Sequence, residues 1–162
     1  MAQTCGHDHD DDAGLSGALL ADELDIAERR VGEAGERLTP PRRRVLELLF
    51  ESGQPVKAYD LMAAYQPGAP AKPPTVYRAL EFLERKGLAH RIASISAYVA
   101  CTSGGRDHAA AFLICDCCGA TSEVEPAAAK AMAEQATKAG FALRAVTVEA
   151  NGLCAACQQD AA

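Results

Sequence analysis

The sequence predicts an α+β chain of two parts, and three observations predict it. Residues 15–87 read as a succession of amphipathic helices, followed by two short β-like runs. Beyond a Gly/Ser-containing break, "TSGGRDH", the pattern changes to strand, Ala-rich helix and strand. This second part carries two Cys-x-x-Cys spacings, within "CDCC" at 115–118 and "CAAC" at 154–157.

Each element has a local reason. Residues 1–14, "MAQTCGHDHDDDAG", are acidic and aperiodic and are expected to be disordered. From Leu15 to Leu38, the spacing of Leu19, Leu20, Leu24, Ala27, Val31, Ala34 and Leu38 predicts a helix with one apolar face. "TPPRRRVLELLFES" predicts a second helix, with Thr39 as N-cap, prolines in the first turn and Gly53 as the stop. "KAYDLMAAY" predicts a short third helix, ended by "QPGAPAKPP". "PTVYRALEFLERKG" predicts a fourth, from near Pro74 to Gly87. "LAHRIAS" and "SAYVACT" then predict a hairpin. Three helices followed by a hairpin is the order of a winged helix-turn-helix, in which the helix before the wing enters the major groove.

In the second part, "AAAFLIC" and "GATSEVE" predict two strands around a Cys-rich turn. "PAAAKAMAEQATKAG" predicts a helix, and "FALRAVTVEANGLC" a long closing strand. The expected division is therefore a tail over 1–14, a winged-helix domain over 15–101, a hinge over 102–108 and an α/β unit over 109–162. A unit of that size has little core of its own, so a metal or a partner subunit is expected to support it.

Composition narrows the function. The longest apolar runs are too short to span a bilayer, so no membrane role is expected. The N-terminus has no apolar h-region and is not Arg-rich, so neither a signal peptide nor a transit peptide is expected. The cytoplasm is the expected location, and seven cysteines there point to metal before disulfide. The formal net charge of −6 is unevenly spread. Residues 1–36 hold 2 basic and 10 acidic side chains, residues 37–91 hold 10 basic and 5 acidic, and residues 92–162 hold 4 and 7. Local charge governs phosphate affinity, so the basic middle segment is compatible with nucleic acid. A solvated charged face is the plain alternative.

A tetrahedral zinc site takes four thiolates, and two facing Cys-x-x-Cys knuckles supply them. The upstream cluster offers three pairings among Cys115, Cys117 and Cys118. Vicinal cysteines chelate poorly, so Cys115 and Cys118 are the expected ligands, together with Cys154 and Cys157. Gly119 suits the positive φ of a knuckle turn. Buried structural cysteines and a thioredoxin-like redox pair are the alternatives. The redox reading is disfavoured on the expectation that neither pair opens a helix after a buried strand. Four more metal-capable residues, His90, Cys101, His108 and Glu123, bracket the hinge. One sulfur, two nitrogens and one oxygen make a mixed four-coordinate set whose occupancy would couple to domain geometry.

The motifs "LTPPRRRVLELL", "AYDLM", "AKPPTVYRALEFLERKGLAHRI", "SAYVAC", "FLICDCCGATSE" and "GFALRAVTVEANGLCAAC" resemble the ferric uptake regulator family of bacterial metal-sensing repressors, most closely its zinc-responsive branch. The resemblance covers roughly residues 36–157. It implies a DNA-binding regulator rather than an enzyme, with a C-terminal dimerisation domain and a homodimer that addresses a palindromic, AT-rich operator. It implies one structural zinc per subunit at Cys115, Cys118, Cys154 and Cys157, and one regulatory zinc at His90, Cys101, His108 and Glu123. Tyr77 and Arg78 match the family's base- and phosphate-contacting positions. Thr75, Arg42, Arg43 and Arg44 are expected near phosphate, with a solvated helix face as the alternative for the arginines. Sulfur in the sensing set favours zinc over iron, and an iron- or peroxide-responsive regulator of the same family is the alternative. Two features depart from the pattern. Cys117 is a spare thiol, and Cys5, His7 and His9 stand at metal-capable spacing in the tail.

Overall fold

The structure, a computed structural model, describes residues 14–66, 70–101, 110–143 and 146–160. The described residues fall into two compact units, 14–101 and 110–160.

The first unit begins with α1 (Gly17–Glu33), α2 (Pro40–Ser52), the two-residue β1 (Val56–Lys57) and α3 (Ala58–Ala64). It ends with α4 (Pro73–Arg85), β2 (Ala89–Ile92) and β3 (Ala97–Ala100). The strands form an antiparallel sheet in the order β1-β3-β2. β1 is absent from the sequence reading, because two residues are too few to show a period. α1 is shorter than the expected 15–38: Leu24, Ala27 and Val31 are buried, but Leu19 points to solvent. α2 starts on its prolines after Thr39, whose side chain makes no cap hydrogen bond, and stops at Gly53 in the left-handed region at φ 63°. Where the chain enters α1, the Leu15 N–H donates to the Phe50 carbonyl at 2.7 Å. A Cβ on Gly14 would stand 1.8 Å from the Glu51 carbonyl oxygen, so only glycine fits this approach.

The core of this unit joins all of these elements. Val45, Leu46 and Leu49 of α2 meet Val76, Leu80, Phe82 and Leu83 of α4, with Leu24 and Val31 of α1 and Leu61 of α3 in the same cluster. Polar ties fix the helices at their rims. Arg44 donates to the carbonyls of Tyr65 at 3.0 Å and Ala64 at 3.3 Å and pairs with Glu47 at 2.8 Å, joining α2 to the end of α3. Glu36 pairs with Lys86 and with Arg85 at 3.3 Å, and these cations hold its carboxyl below the usual range.

The second unit holds β4 (Ala110–Cys115), β5 (Thr121–Val124), α5 (Ala127–Lys138), β6 (Thr147–Gly152) and α6 (Ala155–Asp160). The sheet order is β5-β4-β6, with β4 antiparallel to β5 and parallel to β6. A parallel partner requires a crossover, and α5 lies in it. The long closing strand expected over 141–154 is corrected: Phe141–Leu143 lie outside the sheet, and pairing begins only at Thr147. α6 was not expected at all. Six residues with no apolar period give no helix signal.

Truncating Leu46, fully buried between α2 and α4, removes core from the first unit. Leu46→Ala is expected to lower that unit's unfolding free energy by about 2–5 kcal/mol, measured by urea denaturation.

Candidate metal centre and nucleic-acid interface

The ligand atoms of Cys115, Cys118, Cys154 and Cys157 all lie within 4.8 Å of one another. The Sγ atoms of Cys118 and Cys154 are 3.8 Å apart. Four sulfurs at ~2.3 Å from one ion stand about 3.8 Å apart along the edges of a tetrahedron. Cys115 and Cys157 are buried, Cys118 and Cys154 are half-buried, and Cys117 of the same turn is exposed.

Backbone hydrogen bonds build the centre. β4 ends at Cys115, and the chain turns so that the Gly119 N–H donates to the Cys115 carbonyl at 2.9 Å, with Gly119 at φ 79°. The Cys115 N–H donates to the Ala120 carbonyl at 2.8 Å and closes the turn into β5. The second knuckle is tied to the first at three points. The Asp116 N–H donates to the Gly152 carbonyl at 2.8 Å, and the Asn151 amide donates to the Asp116 carboxylate at 3.1 Å. The Cys154 N–H donates to the Cys115 sulfur at 3.3 Å. Asp116 and Asn151 therefore brace the centre without offering a ligand, a role that ligand spacing cannot reveal.

These amides set the protonation of the thiols. N–H groups of Cys118 and Cys154 aimed at Cys115 pull its thiol from 9.0 down to about 6, against the opposing effect of burial. Cys118 moves the other way. The Ala120 N–H favours its thiolate, but burial and the neighbouring Cys115 and Cys154 sulfurs outweigh it. Four sulfurs this close cannot all be negative without a cation between them.

One argument made from the sequence is corrected. The second Cys-x-x-Cys does open a helix after a strand, because α6 begins at Ala155 directly after Cys154. What disfavours the dithiol reading is instead the convergence of four sulfurs, where redox chemistry needs two.

The second metal-capable set is distributed. His90 lies on β2 and Cys101 just after β3. The hairpin register pairs His90 with Val99 and Ala89 with Ala100, and the Cys101 N–H donates to the Leu88 carbonyl at 2.9 Å. Cys101 therefore stands across from Leu88, on the face that carries His90, as its diagonal neighbour. Cys101 is buried and His90 half-buried. Glu123 stands exposed on β5 of the second unit, across from Phe112, and His108 lies outside the described residues, as do Cys5, His7 and His9.

On α4, Val76, Ala79, Leu80, Phe82 and Leu83 are buried, which turns Tyr77 and Arg78 outward. Tyr77 is 52% exposed, and Thr75 is half-buried in the first turn. The three arginines of α2 are engaged within the fold. Arg42 donates to the Arg37 carbonyl at 2.7 Å and stacks 3.5 Å over the Phe82 ring. Arg43 pairs with Glu28 at 3.1 Å and Asp25 at 3.9 Å. Arg44 fastens α2 to α3 as described. The sequence reading passed over Tyr59, which at 78% is a strongly exposed aromatic at the start of α3. Its signal was available: Ala58 and Leu61 form the buried face of that helix, and Tyr59 falls off it.

Residues 33–151 match the Ferric uptake regulator family. The chain belongs to the ferric uptake regulator family. A curated relative from Escherichia coli (strain K12), the zinc uptake regulation protein, is 43% identical over 134 residues, which are 81% of this chain and 78% of the relative. A zinc uptake regulator solved in complex with zinc and DNA is 39% identical, covers 90% of this chain and 99% of its own, and superposes with a TM-score of 0.75. The holo form of XcZur is likewise 39% identical, covering 87% of this chain and 99% of its own, with a TM-score of 0.71. Membership in the ferric uptake regulator family accounts for the pairing of a winged-helix unit with a Cys-rich α/β unit in one chain.

The lowered thiol gives a pH signature. In the folded knuckle the amides aimed at Cys115 hold its thiol at about 6, so this sulfur is ready to ligate a cation at neutral pH. Acidification through that value is expected to loosen metal held at the centre, read as metal release to a chromogenic chelator.

Proposed function

We propose that the protein is a zinc-dependent DNA-binding repressor of zinc-uptake genes. It acts in the cytoplasm as a homodimer and performs no catalysis. The observation that carries this reading is on the wing. His90 and Cys101 share one face of the hairpin that directly follows α4, the helix presenting Tyr77 and Arg78. An ion held there rests on the element that reads DNA. The similarity to a zinc uptake regulator complexed with zinc and DNA supports the same reading.

Each subunit would hold two zinc ions. Cys115, Cys118, Cys154 and Cys157 would hold the structural one, and the thiol convergence supports this. His90, Cys101, His108 and Glu123 would hold the regulatory one, drawing ligands from both sides of the hinge at 102–108. Its mixed sulfur, nitrogen and oxygen donors suit zinc better than iron. Filling this site would restrict the hinge, and by linkage operator DNA would tighten zinc binding.

Tyr77, Arg78, Thr75 and the exposed Tyr59 would meet DNA. Arg78 has the fork to read guanine, while the internally paired Arg42, Arg43 and Arg44 would contribute through the fold and through the phosphate field. Pairing of the second units would place two α4 helices on a palindrome. Leu113 and Val124 lie on one face of the β5-β4-β6 sheet and are exposed in the single chain, which supports that interface.

Gel-shift titration with buffered free zinc, on an AT-rich palindrome and with iron and manganese as controls, tests the reading. Binding is expected only as zinc rises, and zinc-independent binding would refute it. Cys101→Ser is expected to remove the zinc dependence and leave a folded dimer, whereas Cys154→Ser is expected to unfold the second unit. Arg78→Ala should weaken specific binding by about 1–3 kcal/mol with unchanged stability, whereas Arg44→Ala should lower stability.

A further inference from the structure

We propose that Glu81 of α4 is a base-reading residue, which accepts a hydrogen bond from a cytosine beside the guanine read by Arg78. The inference rests on the reading that Tyr77 and Arg78 meet DNA, and assigns a specificity to the residue that stands between them.

The directions of the side chains around α4 lead to it. Each residue of an α-helix turns by about 100°. Val76, Ala79, Leu80, Phe82 and Leu83 are buried and fix the inner side. Tyr77 and Arg78, about 100° apart, are exposed and flank the outer side. Glu81 falls about 40° from Tyr77 and about 60° from Arg78, between them and one turn further along. It is exposed, as they are. A placement of α4 that brings both Tyr77 and Arg78 into a groove therefore brings Glu81 with them. Pro74, Tyr77, Arg78 and Glu81 also stand at i, i+3, i+4 and i+7, a spacing with which a recognition helix lays side chains along base edges.

The helix does not neutralise this carboxylate. Arg85, four residues on, is its favoured partner by spacing. Arg85 is engaged elsewhere, with Glu36 at 3.3 Å and 5.4 Å over the Phe82 ring. Arg78, three residues back, forms no ion pair with Glu81. Burial raises the Glu84 carboxyl, Arg91 opposes that shift, and the Glu81 charge adds to it. Unpaired carboxylates stand elsewhere on the first unit. What distinguishes Glu81 is its place at the centre of the outer side of α4.

The chemistry of the group then selects its partner. A carboxylate accepts hydrogen bonds and donates none. In the major groove guanine offers N7 and O6 and thymine offers O4, all acceptors that repel it. Adenine sets an N7 acceptor beside its N6 donor. Cytosine offers its N4 donor with no acceptor alongside, and it is the base from which a glutamate accepts. Three helical residues advance ~4.5 Å, against ~3.4 Å per base pair, so Glu81 meets the pair next to that of Arg78. On other sequences the same charge finds no donor and is repelled by phosphate, which weakens unspecific binding.

Selection of duplexes from a randomised palindromic pool, with full-length zinc-loaded protein, tests this. The wild-type chain is expected to select a guanine with a cytosine in the neighbouring base pair. Replacing that cytosine should weaken binding about 5- to 100-fold in gel shifts. Arg78→Ala is expected to lose the guanine. Glu81→Ala is expected to keep the guanine and lose the preference at the neighbouring pair. Glu81→Gln is expected to change that preference to adenine, which a glutamine amide pairs through N6 and N7. Both Glu81 variants should bind unselected duplex more tightly than the wild type, with unchanged urea unfolding. Wild-type selection of guanine without a neighbouring cytosine would overturn the proposal, as would identical base preferences in the wild type and both Glu81 variants. Either result leaves the repressor reading intact and makes Glu81 part of a solvated helix face. Selection of no sequence by the wild type in zinc would overturn the repressor reading and this inference with it.

Discussion

Four sulfurs brought together at the spacing of a zinc tetrahedron can all be thiolates only if something positive joins them, and the account of the second unit rests on that constraint. Its core is small. Ala110, Phe112, Ile114 and Ala129 are buried, while Leu113, Met132, Phe141 and Leu153 remain exposed in the single chain. A sheet of three short strands under one Ala-rich helix buries too little to hold itself. A cation held by the four sulfurs would supply what the core lacks, because these residues sit where the end of β4 meets the end of β6. The Asp116 hydrogen bonds to Asn151 and Gly152 reinforce the same junction.

The first unit is held differently. Its helices share one apolar cluster, and its arginines act as fasteners at the rim. Its apolar cluster is extensive, so in the proposed mechanism metal there would act as a signal rather than as a prop. This division gives the two zinc sites of the proposed mechanism separate roles: one builds the second unit, and the other, starting from His90 and Cys101 on the wing, reports metal to the DNA-reading helix. In that mechanism Glu123, five residues after Cys118, would tie the two roles to a single β-hairpin of the second unit.

The sequence made much of this legible, for identifiable reasons. α2 and α4 were read because proline, an apolar period and glycine mark their ends. The thiol centre was read because Cys-x-x-Cys spacing is a direct statement about ligand geometry. β1 and α6 were missed because two and six residues carry no period, and the closing strand was overextended because apolar content is not pairing. Tyr59 was missed because an exposed aromatic in a short helix resembles core until the buried face is known. The arginine run was read as facing phosphate or as a solvated face, and only side-chain geometry shows Arg43 and Arg44 also engaged by Glu28, Glu47 and the Tyr65 carbonyl.

Amide hydrogen exchange of the metal-loaded and chelator-treated protein tests the central claim most directly. The account predicts that metal removal exposes the amides of β4, β6 and both knuckles to exchange, while those of α2 and α4 keep their protection. Unchanged protection of β4 and β6 without metal would contradict it, since the second unit would then stand on its own core.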